Sequence, residues 1–275
     1  MAKAILITGC SSGIGYVTAH ALHQRGYQVI ASCRKQEDVL RLQQEGLTSI
    51  QIDLSSSESI SQGVKQTLAL TEGQLYALFN NGAYGQPGAL EDLPTEGLKA
   101  QFETNFFGWH QLVCELLPTM RAHGEGRIIQ NSSVLGFAAM KYRGAYNASK
   151  FAIEGWSDTL RLELANTNIK IALIEPGPIE TRFRANALVA FKKWINVENS
   201  PHHAEYQQQL SRLSKASSNN AFVLPAEACV APVIHALEAK HPKIRYRITK
   251  PTKIFAVLKR LLPTRWLDMI LQKAA

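Results

Sequence analysis

The segment Thr8-Gly9-Cys10-Ser11-Ser12-Gly13-Ile14-Gly15 decides how this chain folds. It follows directly on Ala4-Ile5-Leu6-Ile7, an apolar run of strand length, and leads into a helical pattern that stops near Gly26. Three glycines let the main chain turn tightly and approach a ligand, and the unpaired N–H groups that begin the next helix make its amino end an anion site. Strand, glycine loop and helix in that order point to a dinucleotide, with Gly9, Ser11, Ser12, Gly13, Ile14 and Gly15 as its contacts.

Outward from this loop, apolar β-branched runs at 4–8, 28–33, 48–52, 75–80, 127–132, 170–175 and 244–248 read as seven strands, most of them separated by helical patterns. Runs of continuous Ile, Leu and Val are buried on both faces, as crossover helices on a parallel sheet require. The expected fold is a doubly wound α/β sandwich of three layers, one domain over 1–275 with its dinucleotide core at about 1–180. Ser55-Ser56-Ser57-Glu58 supplies capping residues before a helix at 60–70. The polar stretch 187–220 lacks strand period and reads as a helical insertion, a lid over about 182–222.

Composition narrows the function. A 275-residue chain that is 45% hydrophobic can bury a continuous core. Cys10, Cys33, Cys114 and Cys229 are scattered without metal-ligand spacing, so neither a disulfide framework nor a metal site is expected, and a cytoplasmic setting fits. No stretch approaches the ~20 apolar residues that span a bilayer. The net charge of +8 is compatible with nucleic acid, anionic lipid or a phosphate-rich cofactor, but no nucleic-acid module accompanies it. Residues 252–273 are amphipathic and basic, with Pro263 dividing them into two helices. They either touch a membrane surface or pack on the protein or a partner subunit.

The second strand ends Cys33-Arg34-Lys35, with no carboxylate before Glu37. A carboxylate there would bond the adenosine ribose hydroxyls, whereas an arginine suits a 2′-phosphate. Arg34, with Ser11 adding a hydroxyl, therefore favours NADP(H); the competing reading is a solvated surface arginine.

Tyr146 and Lys150 stand four apart in a helical segment and share one face. A free phenol has a pKa of ~10, and a neighbouring ammonium favours its ionised form. Tyr146 is then a general acid or base. Ser133, at the carboxyl end of the fifth strand, can hold a substrate oxygen. Asn105, in a long helical pattern, is either structural or the seat of a water relaying protons to Lys150.

Together these motifs resemble the short-chain dehydrogenase/reductase family over about residues 1–185: the glycine segment, Asn81, Asn105, Ser133, Tyr146-Asn147-Ala148-Ser149-Lys150 and Pro176-Gly177-Pro178-Ile179-Glu180-Thr181. Within it the chain looks like the NADP-dependent retinol and 17β-hydroxysteroid dehydrogenase branch and its bacterial aldehyde-reductase relatives. The resemblance implies a Rossmann-type fold and a homodimer or homotetramer. It also implies adenine contacts from Asp53 and Leu54, Asn81 near the adenosine ribose, and Pro176, Gly177, Ile179 and Thr181 around the nicotinamide. Asn81-Gly82-Ala83 departs from the family's usual Asn-Ala-Gly.

Substrate choice is expected from 85–93, 135–143 and the segment after Thr181, where Phe137, Met140, Tyr142, Phe183, Leu188, Phe191 and Trp194 either line a lipophilic pocket or pack the lid. The leading expectation is an NADP(H)-dependent oxidoreductase interconverting a carbonyl and an alcohol. The alternative is a non-catalytic NADP(H) redox sensor, whose signature would be loss of the tyrosine, lysine or serine.

Overall fold

The computed structural model describes residues 2–214 and 221–273. Seven strands, β1 (Ala4–Ile7), β2 (Gln28–Cys33), β3 (Thr48–Gln51), β4 (Leu75–Asn80), β5 (Glu125–Asn131), β6 (Asn168–Glu175) and β7 (Arg245–Arg247), form one sheet in the order β3-β2-β1-β4-β5-β6-β7. Every pairing is parallel. β5 and β6 begin two residues before their apolar runs, because Glu125 and Gly126 continue the register against Asn168 and Ile169. Polar strand ends of this kind carry no hydrophobic signal.

The sheet is covered on both sides, which is why its strands read as unbroken apolar runs. Ile5 and Ile7 of β1 pack with α1 (Gly13–Gln24), α2 (Gln36–Gln44) and α9 (Val230–Glu238). Ala4 and Leu6, pointing the other way, pack with α3 (Ser57–Leu70), α5 (Gly108–Ala122) and α6 (Gly144–Glu163). The expected Rossmann-type three-layer α/β sandwich is thus realised in a single domain. Ser56 caps α3 by accepting from Ser59 N.

Chain order reverses between β1 and β4. Loops leaving their carboxyl ends diverge and open a crevice, the place where such sheets bind ligands. α4 (Thr95–Phe102) runs through a π-helical turn, Glu103–Phe107, into α5. α7 (Phe183–Trp194) and α8 (His203–Ser214) lie beside the crevice. α8 is fastened by Tyr206, fully buried, whose hydroxyl donates to Asp92 and accepts from Ala89 N. The expected lid's Ser217, Ser218, Asn219 and Asn220 lie outside the described residues.

α10 (Lys250–Leu261) and α11 (Thr264–Lys273) flank Pro263. Phe255, Leu267 and Leu271 pack against Val134, Leu135 and Ala138, so the inner face of this tail rests on its own domain. Ile254, Val257, Leu261, Trp266 and Met269 remain exposed. No helix among the described residues is long and apolar enough to cross a membrane. Among those residues no metal-holding group of His, Cys, Asp or Glu occurs either.

Candidate active site

The glycine loop is built by close approach. Gly9 has φ +70°, and a Cβ on it would lie 2.6 Å from Gly82 Cα. Gly15 packs so closely on Gly9 O and Asn81 Nδ2 that neither neighbour leaves room for a side chain. Gly13, at φ +60°, faces Thr181, whose Cγ2 would stand 2.8 Å from an added Cβ. This explains Gly82-Ala83: position 82 is where the main chain after β4 touches the glycine loop, so a glycine there still permits the approach.

A run of hydrogen bonds crosses the carboxyl edge of the sheet from β1 to α6. Thr8 Oγ1 accepts from Asn81 N and Gly82 N, both at 2.9 Å. Asn81 Nδ2 donates to Thr8 O at 3.0 Å, and Asn131 Nδ2 donates to Asn81 Oδ1 at 2.8 Å. Lys150 Nζ then donates to Asn131 O at 2.6 Å. Asn81 is thereby a clamp between loops that also lines the crevice.

Tyr146, Lys150 and Ser133 converge on that crevice, a cavity of about 760 Å³. Ser133 sits at its edge in extended backbone, φ −169°, and its Oγ accepts from Leu135 N at 3.1 Å. The Tyr146 phenol is pushed up to about 12 by burial, while its hydrogen bond to Ser133 and the charge of Arg143 pull the other way. Lys150 is fully buried and held down at about 7 by desolvation, with Glu154 opposing that shift. The ammonium nitrogen lies 5.6 Å from the Tyr146 ring centroid and 4.4 Å from that of Trp109. The cation drawing the phenol down in this structure is therefore Arg143, one turn earlier, because Lys150 is turned to a main-chain oxygen and burial weakens its own charge.

Behind Lys150 stands a second polar layer. Ser132 Oγ donates to Glu154, and Arg245 Nε donates to the other Glu154 oxygen at 2.9 Å. Glu175, fully buried, meets Arg245 and Arg247 at 3.2 and 3.1 Å.

Gly9, Ser11, Ser12, Gly13, Ile14, Asn81, Pro176, Gly177, Ile179 and Thr181 all line the same cavity as Ser133, Tyr146 and Lys150. Asn105, Gly15, Arg34, Asp53 and Leu54 do not. Asn105 is buried in the π-helical turn. Its Nδ2 donates to Tyr84 O and Ser149 Oγ, and its Oδ1 accepts from Tyr84 N. It ties the loop after β4 to α6. Asp53 turns its carboxylate onto Ser55, and Leu54 is packed in the core. Arg34 is exposed at the carboxyl end of β2 and enters no ion pair among the described residues.

Of the aromatic and apolar candidates, Met140 and Phe183 reach the cavity. Phe183 stacks edge-on to Tyr146 at 5.2 Å. Tyr142 and Phe191 instead pack with Ala89, Ile195 and Tyr206, and Trp194 lies against Gly97. For these three the packing role holds. Sequence reading missed Arg41, whose Nη2 donates to Ser11 O at 2.7 Å and so steadies the glycine loop from α2. It also missed Asn131 and Glu154. Glu154 carried a signal, standing one turn beyond Lys150 on the same helix, whereas Asn131 acts on Lys150 through its main chain, which leaves no residue signature.

Comparison with known proteins agrees with this geometry. Residues 3–189 match the family described as short chain dehydrogenase. The chain is 46% identical over 272 residues to the uncharacterized oxidoreductase YbbO of Escherichia coli (strain K12), covering 99% of this chain and 95% of that one. It is 38% identical over 196 residues to retinol dehydrogenase 8 of Homo sapiens, covering 68% of this chain and 62% of that protein. A short-chain dehydrogenase structure from Streptomyces avermitilis superimposes with a TM-score of 0.77 at 26% identity, over 98% of this chain and 97% of that one. With two thirds of its length matched, and its tyrosine, lysine and serine gathered in one crevice, this chain belongs to the short-chain dehydrogenase family of oxidoreductases.

Proposed function

We propose that the chain interconverts an aldehyde or ketone and the corresponding alcohol, using NADP(H), on a substrate with an apolar body. The observation that carries this reading is the convergence of Ser133, Tyr146 and Lys150 on the crevice that the glycine loop also lines.

The residues fit a dinucleotide. Side chains at 9, 13 and 15 would fill the space where the glycine loop approaches its neighbours. Ser12 caps α1 with its side chain unbonded, which leaves the helix's amino end open to a phosphate. Arg34 supports NADP(H) over NAD(H), since no carboxylate competes for its guanidinium and an exposed fork suits a 2′-phosphate. When bound, the dinucleotide supplies or accepts the hydride at the carbonyl carbon.

The chain's own groups do the rest. Ser133 Oγ and the Tyr146 hydroxyl hold the carbonyl oxygen between them. Burial keeps the phenol protonated at neutral pH, so it donates its proton to that oxygen during reduction and takes it back during oxidation. Lys150, seated on Asn131 O at the wall of the crevice, would help hold the dinucleotide there. Asn105 acts as a positioning residue, holding Tyr84 and Ser149 on either side of the π-helical turn. Met140, Phe183, Leu213, Ile254 and Phe255 give the substrate end its apolar lining, and a relative named retinol dehydrogenase 8 supports a lipophilic alcohol or carbonyl.

The test is a panel of medium- and long-chain aldehydes, retinal and steroid ketones, followed by NADPH oxidation. Turnover of at least one lipophilic carbonyl is expected. Tight NADPH binding with every member of the panel inert would overturn the enzymatic reading in favour of a redox sensor.

A further inference from the structure

Four arginines line the same cavity: Arg182, exposed at the N-cap of α7, and three half-buried ones from three different elements, Arg143 at the start of α6, Arg184 in the first turn of α7 and Arg212 near the end of α8. No aspartate or glutamate lines that cavity. Arg143 Nη1 points at the Met140 thioether, 2.9 Å away, a weak acceptor. Arg212 donates from Nε and Nη2 to the neutral amide oxygen of Gln209, at 3.1 and 2.8 Å. None of the three forms a salt bridge among the described residues. The sequence between α8 and residue 221, Lys215-Ala216-Ser217-Ser218-Asn219-Asn220, contains no acidic residue.

Elsewhere, Arg127 is held by the main-chain oxygens of Gly126, Asn168 and Ala239, and several other arginines meet carboxylates. Arg25 meets Glu238, Arg41 meets Asp38 and Glu45, Arg245 meets Glu154, and Arg247 meets Glu175. Unpaired guanidinium groups gathered in a cavity repel one another, and removal from water makes their charge costly until an anion arrives. The repulsion is felt by Arg143: burial first, then Arg212 and Arg184, hold it down at about 10. Its direction is also built in. Tyr142, just before it, takes φ +60°, a left-handed conformation that a tyrosine rarely adopts, while Tyr142 O accepts from Gly88 N at 2.9 Å.

We infer that Arg143, Arg184 and Arg212 form an anion subsite, so that the carbonyl compound reduced here carries a carboxylate or phosphate at the end of its apolar chain. The inference rests on the proposed function in taking this cavity as the substrate site, and it adds the substrate's charge. Arg143 lies one helical turn before Tyr146, which places the anionic group within reach of the guanidinium cluster while the carbonyl meets the phenol. A lipophilic but neutral carbonyl would leave the three charges uncompensated, and a cationic amine would add to their repulsion.

The test is calorimetric titration of the full chain saturated with NADPH, using octanoate, octyl phosphate and octanol as probes. Octanoate or octyl phosphate is expected to bind at least tenfold more tightly than octanol, and the tighter of the two identifies the head group. The double variant Arg184→Gln/Arg212→Gln should lose that preference, as should Arg143→Met, which leaves α7 and α8 untouched. Equal binding of acid and alcohol, no binding of any probe, or a preference that survives the substitutions would overturn the inference. Because the readout is binding of compounds that cannot be reduced, it is independent of the turnover screen that decides the enzymatic reading.

Discussion

Lys150 Nζ donates to the main-chain oxygen of Asn131 at 2.6 Å and stands 5.6 Å from the ring centre of Tyr146, one helical turn before it. The two side chains share a helix face as their spacing requires, but the ammonium is seated on β5 rather than on the phenol. The pair thus divides its tasks. Lys150 is a fixed donor at the floor of the crevice, and Tyr146 is a protonated acid at its wall.

Glu154 opposes the desolvation of Lys150 from one turn further along α6. Glu154→Gln removes that negative neighbour and should lower the Lys150 pKa below its value of about 7. The limb of the kcat/KM profile that follows the ammonium is expected to move to lower pH by roughly one unit, equivalent to about 1.4 kcal/mol. A purely structural role would lower activity without moving that limb. Arg245 keeps Asp158 and Glu175 as partners in the variant.

Glu175 is pushed up to about 7, since burial and the charge of Glu154 outweigh Arg247 and Arg245. Its folded pKa lies above the ordinary unfolded value of about 4.3, so the folded state binds the proton more tightly. The stabilisation tied to that proton is complete below the unfolded pKa and is lost as pH rises through 7. Urea melts of the wild type should therefore show stability falling between about pH 4.5 and 7, by up to roughly 3 kcal/mol from this group. Glu175→Gln should flatten that window, and an unchanged pH slope would show that the carboxyl is ionised throughout.

Much of this was legible from sequence because the signals were local. The glycine loop, the Tyr146–Lys150 spacing and the seven apolar runs each depend on neighbours a few residues apart, and each reappears in the structure. Arg143, three positions before Tyr146, carried the same kind of helical signal and was absorbed into a substrate loop. Arg184 and Arg212 carried none. Arg212 reaches the cavity from α8, which Tyr206 fastens to Asp92 across 114 positions of sequence, and Arg184 reaches it from the first turn of α7. Asp53 and Leu54 follow β3, where the Asp53 carboxylate accepts from Ser55 and the Leu54 side chain packs in the core, partners that their own sequence neighbourhood does not announce.

Arg34 stands exposed at the end of β2 without an acidic partner, whereas Arg41, seven residues on, is tied to Asp38, Glu45 and Ser11 O. Arg34→Ala should weaken NADPH binding about tenfold or more and leave NADH affinity within about twofold, as expected for losing a charged hydrogen bond. Parallel fluorescence titrations with the two dinucleotides measure this. An unaltered preference would assign the 2′-phosphate to another group.

Proton delivery by Tyr146 is examined most directly by Tyr146→Phe, which removes one oxygen and leaves the ring against Phe183. With any lipophilic carbonyl that the wild type reduces, single-turnover NADPH oxidation should slow by about 10²–10⁴-fold, while NADPH affinity stays within about twofold. Turnover within a few-fold of wild type would contradict a phenol that gives its proton to the substrate oxygen.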